Sequence, residues 1–198
     1  MSYSFSDWQV TPKRKMSELK LPLSLEQKID IFFERTDGWQ LGIADKIING
    51  VIIDKSGKFI GSSESAYAVL NIVFSFFETI AKYQDGYVGK ESKRYFKKGV
   101  ISVFPEICNH PAEFLDMLYG YARCGLYHGG FPNTRVFVRT DIPKPLGFTK
   151  KLVYINPQRL ILDLRDYLKS YVEKLRDARN TEARKNFEKR FDSLNKLI

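Results

Sequence analysis

The sequence predicts a mainly α protein, a helical bundle with small β additions. Three observations lead there. The stretch from Ser65 to Tyr83 is apolar around most of its circumference, as a helix central in a bundle must be. Segments opening at Ser24, Ser92, Pro111 and Pro157 repeat apolar residues at helical spacing. The alternating stretches, by contrast, are short: "GVIIDKSGKFIG", "RVFVR" and "KLVYIN".

Taken in order, residues 1–22 read as a flexible N-terminal arm. "SLEQ" then starts a helix, with Ser24 and Gln27 spaced as a capping box. Leu25, Ile29 and Phe32, then Trp39, Ile43 and Ile47, continue its apolar face, and Asp37-Gly38 is expected to kink or divide it. Gly50–Gly61 predicts a hairpin turning at Lys55–Gly57.

In the Ser65–Tyr83 helix, Tyr67, Leu70, Phe74, Phe77 and Ala81 line one side. Val69, Val73, Phe76 and Ile80 fill the next, leaving a narrow polar stripe of Asn71, Ser75, Glu78 and Lys82. Two readings of Glu78 stand: an i,i+4 pair with Lys82, or the partner of an arginine from another helix, since carboxylates are rarely buried unpaired.

Ser92–Val103 predicts a further helix, bounded by Pro105. The next is expected to be capped by His110, with Pro111 at its first position, and to bury Phe114, Met117, Leu118 and Tyr121. Gly129-Gly130 stops it. Residues 135–156 form a strand-like insertion. Asn156-Pro157 opens a long helix with Leu160, Leu164, Tyr167, Tyr171 and Leu175 on its buried face. A restart at Thr181 carries Phe187, Phe191 and Leu194, so residues 177–198 read as a basic helical extension of a domain spanning 23–176.

With 198 residues the chain is long enough for one domain with its own core. Two cysteines are too few for a disulfide framework and fit a reducing compartment. The N-terminal twenty residues have no apolar signal core, and no stretch is apolar enough to span a bilayer; a cytoplasmic location is the expectation.

A formal charge of +9 favours a polyanionic partner, nucleic acid above all. The charge is clustered: Lys90–Lys98 holds five basic residues against one acid, and Phe131–Asn156 again five against one. Lys93, Arg94, Lys97 and Lys98 are the candidate RNA-binding cations, the alternative being a solvated helix face.

The chemistry concentrates in "YARCGLYHGG". A Walker loop, a dinucleotide fingerprint and Gly-x-Ser-x-Gly are all missing from the sequence. Cys108, His110, Cys124 and His128 are ligand types for zinc, but not at the spacing of a standard finger or ribbon, so buried apolar cysteines are the first reading and a metal-binding interaction protein using Cys108 and Cys124 the alternative. Arg123 and His128 lie five apart, which on a regular helix separates them by roughly 140°. They converge only if the helix loosens or ends nearby, and Gly125 with Gly129-Gly130 supplies that condition. His128 then sits at the helix C-terminus, where the dipole favours a cation. A switchable histidine beside a permanent cation suits phosphodiester chemistry. The competing reading makes His128 a cap and pairs Arg123 with an acid such as Glu78.

"RCGLYH", closing an apolar helix, resembles the arginine–x4-6–histidine motif of HEPN (higher eukaryotes and prokaryotes nucleotide-binding) domains. The resemblance takes in "LNIVFSFFETIAKYQDG", "SKRYFKKGVISVFPE" and "YINPQRLILDLRDYLKSYVEKL", most of Leu23–Leu175. It implies a HEPN-like bundle that homodimerises to form a composite active site. It also implies a metal-independent RNase, of the kind found in toxin–antitoxin and phage-defence systems, that needs no cofactor. Arg123 would stabilise charge on the scissile phosphate and His128 would move protons, leaving a 2′,3′-cyclic phosphate on single-stranded RNA. Glu78 and Cys124 would support them, and an antitoxin or other protein partner is implied. Cys124 stands where active members often carry Asn, Asp or His. That favours the alternative, a non-catalytic module binding RNA, a nucleotide or a protein.

Overall fold

The computed structural model describes residues 7–50, 52–53, 59–60 and 65–195. The chain is mainly α, as expected. Its centre is α3 (Ala66–Asp85), whose Val69, Leu70, Val73, Phe76, Phe77, Ile80 and Ala81 are fully buried. Around it pack α1 (Leu25–Glu34), α2 (Gly42–Ile48), α4 (Ser92–Val103), α7 (Pro157–Arg176) and α8 (Thr181–Leu194). Helix α4 lies so close to α3 that a Cβ on Gly99 would stand 1.8 Å from the Phe77 carbonyl oxygen. Only glycine permits that approach.

The capping box forms at the start of α1: the Gln27 N–H donates to Ser24 Oγ at 3.2 Å, and the Ser24 N–H donates to Gln27 Oε1 at 3.0 Å. The helix is not broken at Asp37-Gly38. It runs on through a π-helical segment, Arg35–Leu41, into α2. The wider turn shifts the register, so Leu41, Ala44 and Ile48 are buried, while Trp39 and Ile43, expected on the apolar face, are exposed. Strands β3 (Ile52–Ile53) and β4 (Phe59–Ile60) pair antiparallel as a hairpin; the expected turn at Lys55–Gly57 lies outside the described residues.

Three expectations change. Within the expected arm, β1 (Gln9–Thr11) and β2 (Arg14–Lys15) form a hairpin with Val10, Thr11 and Met16 buried. Arg14 fastens it to Asp30 and Glu34 of α1. The strand-like insertion carries three strands, not two. Strands β5 (Val136–Val138) and β7 (Val153–Ile155) are parallel, and a third strand, β6 (Leu146–Phe148), pairs antiparallel with β7. Parallel neighbours need a long crossover, and β6 was hidden by Pro145 before it and Gly147 within it.

Asn156, 2 % exposed, ties the sheet to α7: its Oδ1 accepts from the Arg159 N–H while its Nδ2 donates to the Thr140 and Ile142 carbonyls. Finally, α8 is no appendage to the 23–176 domain. Phe187 and Phe191 are buried, with Phe187 stacked on Tyr83 at 5.3 Å and edge-on to Phe32 at 5.5 Å.

Candidate functional site

The motif lies on a continuous helical path made of α5 (Glu113–Met117), a π-helical segment Leu118–Cys124 and α6 (Gly125–Gly129). The path begins at Glu113, after Ala112, so His110 is not its cap; that histidine instead ends the short 3-10 turn Pro105–Asn109, its ring against Phe148. Phe114, Leu118, Ala122 and Leu126 are buried along the path and Met117 and Tyr121 partly so. The helix does loosen, but over the residues up to Cys124; from Gly125 it is regular again. Gly130, with φ of 74°, closes it in the left-handed conformation, its N–H donating to the Leu126 carbonyl at 3.0 Å.

Arg123 is held from three sides. Its guanidinium carbon lies 5.6 Å from the Tyr119 ring centroid and 4.6 Å from that of Tyr127, one helical turn to either side. Its Nη2 stands 3.6 Å from Glu78 Oε2. Both readings of Glu78 therefore hold together. Its Oε1 accepts from Lys82 Nζ at 2.6 Å, and its Oε2 accepts from Ser92 Oγ at 2.5 Å. Burial pushes the Glu78 carboxyl up. The hydrogen bonds from Lys82 and Ser92, with the charges of Lys82 and Arg123, outweigh that and hold it below its ordinary value. Glu78 is thus an anion at neutral pH, and Lys82 takes most of its attention.

Glu78, Lys82, Arg123 and Tyr127 line one cavity of about 280 Å³, together with Ser75 of α3 and Arg190 of α8. His128 does not line it. It is exposed beyond Tyr127, whose ring it meets edge-on at 5.1 Å between centroids. The two motif residues are therefore joined through Tyr127, which touches both. Cys124, between them in sequence, is a free and partly exposed thiol.

The basic helix α4 does not enter the cavity. Lys93 and Lys97 both reach Asp116 of α5, at 2.7 and 2.8 Å, Arg94 pairs with Glu91, and Lys98 pairs with Asp85 at the end of α3. These pairs lie at the surface, where solvent screens them.

Sequence reasoning missed Tyr119, Tyr127 and Arg190. The tyrosines were legible at i−4 and i+4 from Arg123; Arg190, far along the chain, left no local signal. Among the described residues no three His, Cys, Asp or Glu side chains gather as a metal site, and no helix is long and apolar enough to cross a membrane. No family model matches the chain, and no curated protein or solved structure matches it either.

Proposed function

We propose that the chain is a HEPN-type, metal-independent endoribonuclease cleaving single-stranded RNA through Arg123 and His128. The observation that carries this reading is how Arg123 is held. It is oriented by Glu78 and two tyrosine faces, and at 3.6 Å its guanidinium is not consumed by a close carboxylate. Its fork is therefore available to a phosphate, with an exposed histidine on the far side of the same tyrosine.

In the reaction the 2′-oxygen attacks phosphorus while its proton passes to an imidazole. The bond to the 5′-oxygen breaks and that oxygen takes up a proton. The products are a 2′,3′-cyclic phosphate and a 5′-hydroxyl. Arg123 stabilises the charge gathering on the phosphoryl oxygens. A homodimer with a composite site supplies two His128 imidazoles, one for each proton. Tyr127 and Phe131, 70 % and 71 % exposed, offer faces on which unpaired bases stack. A cytoplasmic role in a toxin–antitoxin or phage-defence system, with an antitoxin or other protein partner, belongs to the same proposal.

One observation favours the second reading, a non-catalytic HEPN module binding RNA, a nucleotide or a protein: His128 is absent from the cavity that Arg123 lines. Single-stranded RNA incubated in EDTA with wild type and His128→Ala separates the two. Loss of an imidazole is expected to cost ~10²–10⁴ in rate, with the helical circular dichroism unchanged. Equal cleavage by both proteins refutes a role for His128. No cleavage by either, with the fold intact, leaves the binding module.

A further inference from the structure

We infer that the cavity behind Arg123 is a binding site for a phosphate monoester, gripped by Arg190 together with Arg123. The site does not need RNA cleavage; it deepens the second reading, a module that binds RNA or a nucleotide, by naming the group and the residues that hold it. It draws on α8, which lies outside the part of the chain that resembles a HEPN domain.

The first observation is charge. The cavity is lined by three cations, Lys82, Arg123 and Arg190, against one carboxylate, Glu78. Lys82 neutralises Glu78 at 2.6 Å, so the field left in the cavity is that of two guanidinium groups. A phosphate monoester carries about two negative charges at neutral pH and three acceptor oxygens. An internucleotide diester carries only one and must leave by two arms, so the monoester matches the cavity better.

The second observation is Arg190. Its Nε is buried and has no hydrogen-bond partner among the described residues, and its guanidinium makes no ion pair there. A buried guanidinium N–H without an acceptor is costly, and natural proteins rarely leave one without a purpose. The nearby Tyr83 gives it no counter-charge. Burial, opposed by Arg190 and Arg35, leaves that phenol pushed up to about 12, neutral at physiological pH. Arg190 lines the cavity, so a ligand there meets a guanidinium that has no ion-pair partner among the described residues.

The third is size and lining. About 280 Å³ lies at the low end of small-ligand sites, enough for a phosphate and part of what it esterifies. Phe74 and Leu126 supply an apolar wall against which the esterified group can pack. The monoester has two sources, a free nucleotide or the phosphorylated end of an RNA strand.

Isothermal titration calorimetry on the full chain tests the site with inorganic phosphate, AMP, adenosine, and a tri-adenylate bearing either a 5′-phosphate or a 5′-hydroxyl. AMP and phosphate are expected to bind saturably and adenosine not to. Arg190→Gln should weaken AMP by about 10-fold or more, the loss of a charge-assisted pair. Should that variant unfold, Arg190→Lys, which keeps the charge but not the fork, should weaken AMP by a smaller factor. His128→Ala should bind AMP as wild type does, even if RNA cleavage is lost or was never present. A 5′-phosphorylated strand binding tighter than AMP assigns the site to RNA ends; the reverse assigns it to free nucleotide. No saturable binding of phosphate or AMP at millimolar concentration overturns the inference. So does adenosine binding as well as AMP, or binding unaltered in both Arg190 variants.

Discussion

Replacing Glu78 by glutamine keeps the side chain's shape and removes its charge. Glu78 accepts from Lys82 at 2.6 Å and Ser92 at 2.5 Å and faces Arg123 at 3.6 Å. The Lys82 side chain is only 8 % exposed, so the substitution strands a nearly buried ammonium. Breaking a fully buried pair costs about 3–5 kcal/mol, whereas an exposed one costs ~0–1 kcal/mol. With Glu78 itself 21 % exposed and the amide oxygen still able to accept one bond, we expect a loss of about 2 kcal/mol. For a chain of this length that lowers the melting temperature by roughly 4–8 °C.

The pH dependence has a definite sign. The folded carboxyl is held below its ordinary value. Its contribution is therefore fully present above the unfolded-state glutamate value of about 4.3 and is lost as pH falls through the lower folded value. Melting curves followed by circular dichroism should show the gap between wild type and Glu78→Gln at pH 7. The gap should narrow only on acidification below the ordinary glutamate range. Equal melting temperatures at pH 7, or a gap that does not change with acid, would refute the charge-pair account.

Three further outcomes are expected. Gly99→Ala places a methyl 1.8 Å from the Phe77 carbonyl oxygen and should destabilise by at least about 1–3 kcal/mol; a melting temperature within a degree of wild type would show that α3 and α4 separate easily. Phe187→Ala should cost about 3–5 kcal/mol, and a chain ending at residue 176 should lose cooperative unfolding, because α8 completes the core; unchanged melting would restore the reading of α8 as an appendage. Lys93→Gln with Lys97→Gln should barely move the melting temperature, since both share the half-exposed Asp116. If α4 meets RNA, however, the pair should lower the salt dependence of binding by about two counterions; an unchanged slope removes α4 from the interface.

Much of this protein was already written in local order along the chain. Apolar spacing alone placed α1, α3, α4, α7 and α8, because a helix buries the same face every three to four residues whatever it packs against. Ser24 and Gln27 announced the start of α1, Asn156-Pro157 that of α7, and Gly130 the end of the motif helix, since each satisfies or stops backbone groups within its own turn. The π-helical segments at Arg35–Leu41 and Leu118–Cys124 had no such marker. They change backbone hydrogen bonding without changing which residue types are present; the first turned Trp39 outward, and the second ends at Cys124, so the regular turn from Gly125 keeps His128 off Arg123's side. The partners were decided further still from the local sequence. Arg123 found Glu78 and two tyrosines, the α4 cations found Asp116, Asp85 and Glu91, and Arg190 reached the cavity from α8. Charge and polarity say that a side chain needs a partner; only the packing of distant helices determines which one it meets.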